Sequence, residues 1–407
     1  MALAETLAPL HTEHADADDH RQIMRLAASR VATARGLAAP WPVDLPAQTI
    51  ARVTKHLDDQ ADLASWDETQ LGELREQFLD SEERSACGAW YTPPPLAHSL
   101  AGGALHTLLE HDPDHRPERI LDTTVIDPAC GGRVFLAFAA RYLTAYSTEL
   151  LKHYGAPAPE QDTLTATIAQ SCVFGIDTDP IAVDLAKTAC WLAANGVPPI
   201  DFLDDNIIHG NALNADLPPA VADRITHDAP LAIVGNPPYK DKARGTAPWI
   251  EQRRTKNPTP TDLLRPSLDD FRSPGQGRIE HHLSNLYVYF WRWALWRAFE
   301  TRQHAAVVAF VSPSAWLISP AFNGMRSRMR ATADDGWIID LTPEGKRPPA
   351  NSRIFPGVAL PICAALFRRL AGPHPDQIAH VQHAQVTGSR DEKLDAVDRL
   401  LYEALLF

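Results

Sequence analysis

The chain has 407 residues, 45% of them hydrophobic and 22% charged, with a formal net charge of -13. That composition excludes wholesale disorder and a fibrous fold, and the length predicts two or three domains, or one large domain with additions. Five cysteines without a CxxC pair argue against a disulfide framework or a zinc site, and neither a signal peptide nor a membrane-length apolar run is visible, so a cytoplasmic protein without metal is expected.

Residues 1–19 read as a disordered acidic tail. A helical region follows over 20–86, with helices at His20–Gly36, Leu45–Leu63 and Glu68–Phe78. From about residue 87 short β-branched runs alternate with helical stretches. The strands are expected at Thr124–Asp127, Val173–Asp177, Ile207–His209, Leu231–Gly235, Ala306–Ser312, Trp337–Leu341 and Ala359–Phe367. Helices are expected at Pro95–Glu110, Val134–Leu150, Pro180–Asn195, Leu283–Arg302 and Ser314–Thr332. Such alternation means a parallel, doubly wound α/β sheet, here over residues 87–370, with 371–407 as a helical extension. Residues 240–280 lack periodicity, and a loop of that length is a functional lid or disordered.

Charge is spread unevenly. Residues 1–90 hold 16 acidic against 8 basic side chains, whereas Lys240, Lys242, Arg244, Arg253, Arg254 and Lys256 cluster in the long loop. Arg326, Arg328, Arg330, Lys346, Arg347 and Arg353 make a second cluster. Such patches can bind phosphates on an acidic body; on charge alone, solvated loops and helix faces are the favoured reading.

Four strand ends carry chemistry. Asp127-Pro128-Ala129-Cys130-Gly131-Gly132 is a small-residue turn that lets a ligand approach backbone N–H groups. Gly175-Ile176-Asp177-Thr178-Asp179-Pro180 puts a carboxylate at a strand tip, where it can accept from ribose hydroxyls, with Asp179 as helix N-cap and Pro180 at the first helical position. His209-Gly210-Asn211 offers an amide. Asn236-Pro237-Pro238-Tyr239 is the strongest signal. Its prolines stiffen the loop, the Asn236 amide and Pro237 carbonyl can both accept from one exocyclic amino group, and Tyr239 supplies a flat face for a base.

In this order the motifs resemble the gamma-class N6-adenine DNA methyltransferases of restriction–modification and phage-defence systems, over about residues 70–370. Gly88-Ala89-Trp90-Tyr91-Thr92-Pro93, Asn285-Leu286-Tyr287, Val311-Ser312-Pro313-Ser314 and Ile354-Phe355-Pro356-Gly357 extend the match. The resemblance implies a Rossmann-like class I S-adenosylmethionine-dependent sheet of seven strands, the last antiparallel. It implies cofactor contacts at Thr92, Asp127, Ala129, Gly131, Asp177, Thr178, Asn211, Ala212, Pro238 and Phe290. Asn236 and Pro237 would hold the target amine, and Tyr239 and Phe355 would stack on a flipped adenine. Double-stranded DNA is the implied substrate, with the basic loop residues as DNA contacts.

Two departures stand out. Arg133 replaces the last glycine of the family's cofactor turn. The roughly forty residues after the last expected strand leave no room for a target-recognition domain, so specificity is expected from a separate subunit, from the 240–280 loop or from a region absent from this chain. The rival readings are a catalytically weak DNA- or partner-binding subunit, and an amino methyltransferase acting on RNA or protein glutamine.

Overall fold

The apolar runs read as strands are buried along nearly their whole length, as a sheet covered by helices on both faces requires. The computed structural model describes residues 17–59, 62–78, 92–112, 116–132, 134–222, 224, 229–255, 259, 265–275, 277–302, 304–356, 358–370 and 378–405. Eight strands form one sheet: β1 Thr124–Asp127, β2 Val173–Asp177, β3 Ile207–His209, β4 Leu231–Gly235, β5 Ala306–Pro313, β6 Asp335–Asp340, β7 Ile362–Arg369 and β8 His380–Gln385. Their order is β3-β2-β1-β4-β5-β7-β6-β8. All pairings are parallel except those of β7, which runs antiparallel to β5 and to β6. The chain winds outward in both directions from between β1 and β4, so a crevice opens there at the strands' C-terminal ends.

The longer helices are α1 Ala17–Ala34, α2 Ala47–Asp58, α3 Glu68–Phe78, α4 Pro94–Glu110, α5 Val134–His153, α6 Gln161–Cys172, α7 Pro180–Ala193, α8 Leu286–Leu295, α9 Asn323–Thr332 and α10 Arg390–Leu405. The N-terminal helices share the core of the sheet domain, with Ile23, Val31, Val53 and Leu71 buried in it. Polar clamps add to this packing. Arg21 and Arg25 both fork onto the buried Asp184 of α7, with nitrogen–oxygen distances of 2.6 and 2.7 Å. The Arg141 guanidinium of α5 grips Glu68, which is buried and held below its ordinary pKa by that guanidinium against the effect of burial.

Four expectations need correction. Helix α1 begins at Ala17, inside the stretch read as a tail. An eighth strand, β8, lies in the segment expected to be helical and pairs in parallel with β6. The stretch Ser314–Thr332 is not one helix: Pro320 interrupts it, leaving a turn at Ala315–Ile318 and α9. The segment 240–280, expected as a functional lid or as disordered, has local helical structure in part. Among the described residues it forms helical turns at Pro248–Glu251 and Leu268–Phe271, with Ile250, Leu268 and Phe271 buried. Gly324 of α9 admits this segment closely; a Cβ there would lie 2.2 Å from the Phe271 carbonyl oxygen. No helix among the described residues is long and apolar enough to cross a membrane.

Candidate active site

Asp127 ends β1 with its carboxylate buried to 1% exposure. Its Oδ1 accepts from the Ala129 N–H at 3.0 Å, while Oδ2 has no partner among the described residues. Burial pushes this carboxyl up to about 8; the Ala129 N–H opposes the shift and the Asp177 charge adds to it. Thr92 is equally buried, and its hydroxyl also lacks a partner. Unpartnered buried polar groups are costly, and the open oxygen of Asp127 fits a ligand carrying a cationic or N–H group.

Asp177, at the tip of β2, is half-buried. Its Oδ2 accepts from the Gly131 N–H at 2.8 Å and its Oδ1 from the Asp179 N–H at 2.9 Å. The carboxylate therefore braces the turn after β1 as well as its own loop. An ionised carboxylate has about four acceptor positions, so room remains for ribose hydroxyls. Thr178 beside it is exposed. Asp179 caps α7, accepting from the Ile181 N–H at 2.9 Å. Asn211, after β3, caps the turn at Ala212–Asn214: its Oδ1 accepts from the Leu213 N–H at 3.0 Å, and Ala212 is buried beneath it. The amide oxygen of this implied cofactor contact is thus already engaged once by its own backbone.

β4 ends at Gly235, whose φ of 154° is one that side chains rarely tolerate, and a Cβ there would stand 2.7 Å from Asp127 Oδ1. Only glycine lets the following Asn236-Pro237-Pro238-Tyr239 loop pass this close to the carboxylate. The loop therefore starts from a residue packed directly against Asp127. Pro237 is buried and Pro238 half-exposed. Tyr239 folds back so that its hydroxyl donates to Asn236 Oδ1. Its ring meets Phe355 edge to face, with centroids 6.2 Å apart and planes at 70°. Burial raises the Tyr239 pKa well above its ordinary value, so the hydroxyl stays a donor. Phe290 projects from α8, buried. The start of α8 is tied to the loop by the Leu286 N–H, which donates to the Lys240 carbonyl at 2.9 Å.

The basic residues of the loop divide. Lys242 and Arg244 are exposed, and Lys240 is half-exposed. Arg253 is mostly exposed and lies 3.5 Å from Glu280. Arg254 departs from expectation: it pairs with Asp270 and donates to the Arg265 carbonyl at 3.2 Å, so its charge is spent inside the protein. Asp270 also holds the wholly buried Arg292, at 3.0 Å. Lys256, Arg133 and Gly88–Tyr91 lie outside the described residues. Two contributors escaped sequence reasoning. Arg75 of α3 pairs with Asp179, and no motif marks it. The acids that consume the loop arginines were visible as Asp269-Asp270, adjacent in sequence.

Residues 114–255 match the family described as MmeI, DNA-methyltransferase domain. None of the curated proteins compared matches the chain. Among solved structures, a DrdV–DNA complex is 17% identical, with a TM-score of 0.57 over 86% of this chain. The ATP-dependent Type ISP restriction–modification enzyme LlaBIII bound to DNA is 14% identical, with a TM-score of 0.58 over 94%. A nuclease-deletion mutant of the Type ISP enzyme LlaGI with a DNA substrate mimic is 15% identical, with a TM-score of 0.55 over 93%. The chain spans only 34%, 27% and 37% of those three chains. At these identities the likeness is one of fold. Residues 114–255 are thus similar to the MmeI DNA-methyltransferase domain, and the chain shares its fold with these DNA-bound proteins.

Proposed function

We propose that the protein transfers a methyl group from S-adenosylmethionine to the N6 amine of a flipped-out adenine in DNA, as the modification component of a restriction–modification or defence assembly. The observation that carries this reading is the close packing of Gly235, the residue that leads into the Asn236–Tyr239 loop, against the buried Asp127. Asp127 and Thr92 would receive the cofactor's ammonium end. Asp177 would accept from its ribose, while Asn211, Pro238 and Phe290 would surround its adenine. The cofactor supplies an electrophilic methyl group on a sulfonium.

The chain's own residues account for the rest. An exocyclic adenine amine is a weak nucleophile because its lone pair is delocalised into the ring. Accepting its two N–H groups on Asn236 Oδ1 and the Pro237 carbonyl favours a pyramidal nitrogen with a directed lone pair. Positioning supplies most of the barrier reduction. Flipping the base costs a few kcal/mol, and stacking on Tyr239 and Phe355 offsets roughly 1–3 kcal/mol of that. For the amine to reach Asn236 fully, the Tyr239 hydroxyl must give up or share Oδ1. Exposed Lys242 and Arg244 suit the DNA backbone, and a separate subunit would read sequence.

The test incubates the protein with cofactor labelled at the methyl group and mixed-sequence DNA, then analyses the digested nucleosides by mass spectrometry. N6-methyladenine should appear. Asn236→Ala should abolish it while leaving the cofactor dissociation constant within about twofold, since the side chain faces the amine. Label on cytosine, on RNA or on protein, or an active Asn236→Ala variant, would overturn the reading.

A further inference from the structure

We infer that Arg75, on helix α3 of the N-terminal region, is a positioning residue for the cofactor's ribose. The inference rests on the site reading proposed above and adds the N-terminal helices to the site itself. The argument is a continuous chain of contacts. The Arg75 guanidinium, only 13% exposed, pairs with Asp179 Oδ2. The other oxygen of Asp179 accepts from the Ile181 N–H at 2.9 Å, which fixes the first turn of α7. The Asp179 N–H donates to Asp177 Oδ1 at 2.9 Å, and Asp177 Oδ2 accepts from the Gly131 N–H at 2.8 Å.

Asp177 is thus oriented by two backbone N–H groups from two different loops, and Arg75 clamps one of those loops from outside the sheet domain. A guanidinium is suited to this, since its charge is permanent and its fork is rigid. Without Arg75, the Asp179 carboxylate keeps its cap but loses its outer partner. The loop can then rotate, and Asp177 drifts from the angle a ribose requires. Docking of α3 onto α7 would in this way be coupled to cofactor affinity.

A different ion pair between these regions, one that Arg25 shares, supplies a control. Arg21 also joins the N-terminal helices to α7, but through Asp184, one turn further along the helix than the Asp179 cap. Cofactor binding to the full-length protein is measured by calorimetry for Arg75→Ala, Arg75→Lys, Arg21→Ala, Asp177→Ala and the Arg75→Ala/Asp177→Ala double variant, with thermal unfolding in parallel. Arg75→Ala should weaken S-adenosylmethionine on the order of tenfold, and Arg75→Lys should restore part of that. Arg21→Ala should stay within about twofold of wild type, and the double variant should bind no more weakly than Asp177→Ala, because coupled residues are not additive. Equal losses for Arg75→Ala and Arg21→Ala, or full additivity in the double variant, would overturn the inference. If the unaltered protein binds no cofactor, the reading of the site falls first and this inference with it.

Discussion

Replacing Asp127 by asparagine isolates what its ionisation does. The carboxyl stands at about 8 in the folded protein against an ordinary 3.8, chiefly through burial. Between those two pH values the folded state holds a proton that the unfolded chain has released. The contribution to stability is therefore complete below pH 3.8 and is lost as pH rises to about 8. At most 1.36 kcal/mol disappears per pH unit, for a total of up to about 5–6 kcal/mol. Asparagine keeps the shape and has no such titration. In urea titrations the unfolding free energy of Asp127→Asn should gain on wild type by about 1 kcal/mol per pH unit between pH 5 and 7.5. Binding gives a second readout. At pH 7 about 0.9 of a carboxyl with this pKa is protonated, whereas an ammonium ligand selects the ionised form. Cofactor binding should then release up to about 0.9 proton from this group, read by calorimetry in two buffers of different ionisation enthalpy. The variant should release none from it and bind at least about tenfold more weakly. A stability difference that does not change with pH, together with no proton release, would refute the reasoning.

Tyr239→Phe removes the hydroxyl that occupies Asn236 Oδ1 but keeps the ring. Its kcat/KM should stay within about threefold of wild type, while Tyr239→Ala should lose the roughly 1–3 kcal/mol of base stacking; equal losses in steady-state kinetics would put the hydroxyl in the chemistry. Arg254→Ala should lower the melting temperature, because it strips a partner from the buried Asp270, and should leave the salt dependence of DNA binding unchanged. Neutralising Lys242 and Arg244 should instead lower that slope by up to about 0.9 per lost phosphate contact; a reversed pattern would return Arg254 to the DNA-facing surface. Gly235→Ala should lose about 1–3 kcal/mol in thermal unfolding, since the new methyl meets Asp127 at a strained φ, and a neutral result would deny the close approach.

The first four strands were legible to the residue because each is a short apolar run, and β1, β2 and β4 are buried along nearly their whole length. Helix α6 was missed. Its sequence QDTLTATIAQSC carries β-branched Thr and Ile and buries Leu164, Thr165, Ala166, Ile168, Ala169 and Cys172, so no clean stripe marks it. Strand β8, HVQHAQ, was missed for a different reason: exposed along most of its length, it has no apolar face to announce it. At the site, the motifs located Asp127, Asp177, Asn236 and Tyr239 because each sits at or just beyond a strand end. Which of the loop arginines would be consumed depends on distant pairings, such as that of Asp270 with Arg292, which local sequence does not encode. Arg75 was invisible for the same reason.

The eighth strand also bears on how the molecule avoids its own kind. Without β8 the outer edge of the sheet would be β6, whose Trp337, Ile338 and Ile339 are buried, and an apolar strand with open backbone groups is a template for pairing between molecules. β8 replaces that edge with His380, Gln382, His383 and Gln385, which are hydrated on both faces and poor partners for another sheet. The opposite edge is the three-residue β3, too short to recruit a strand. The polarity that leaves β8 without an apolar face thus gives the sheet an outer edge poorly suited to pairing with another sheet.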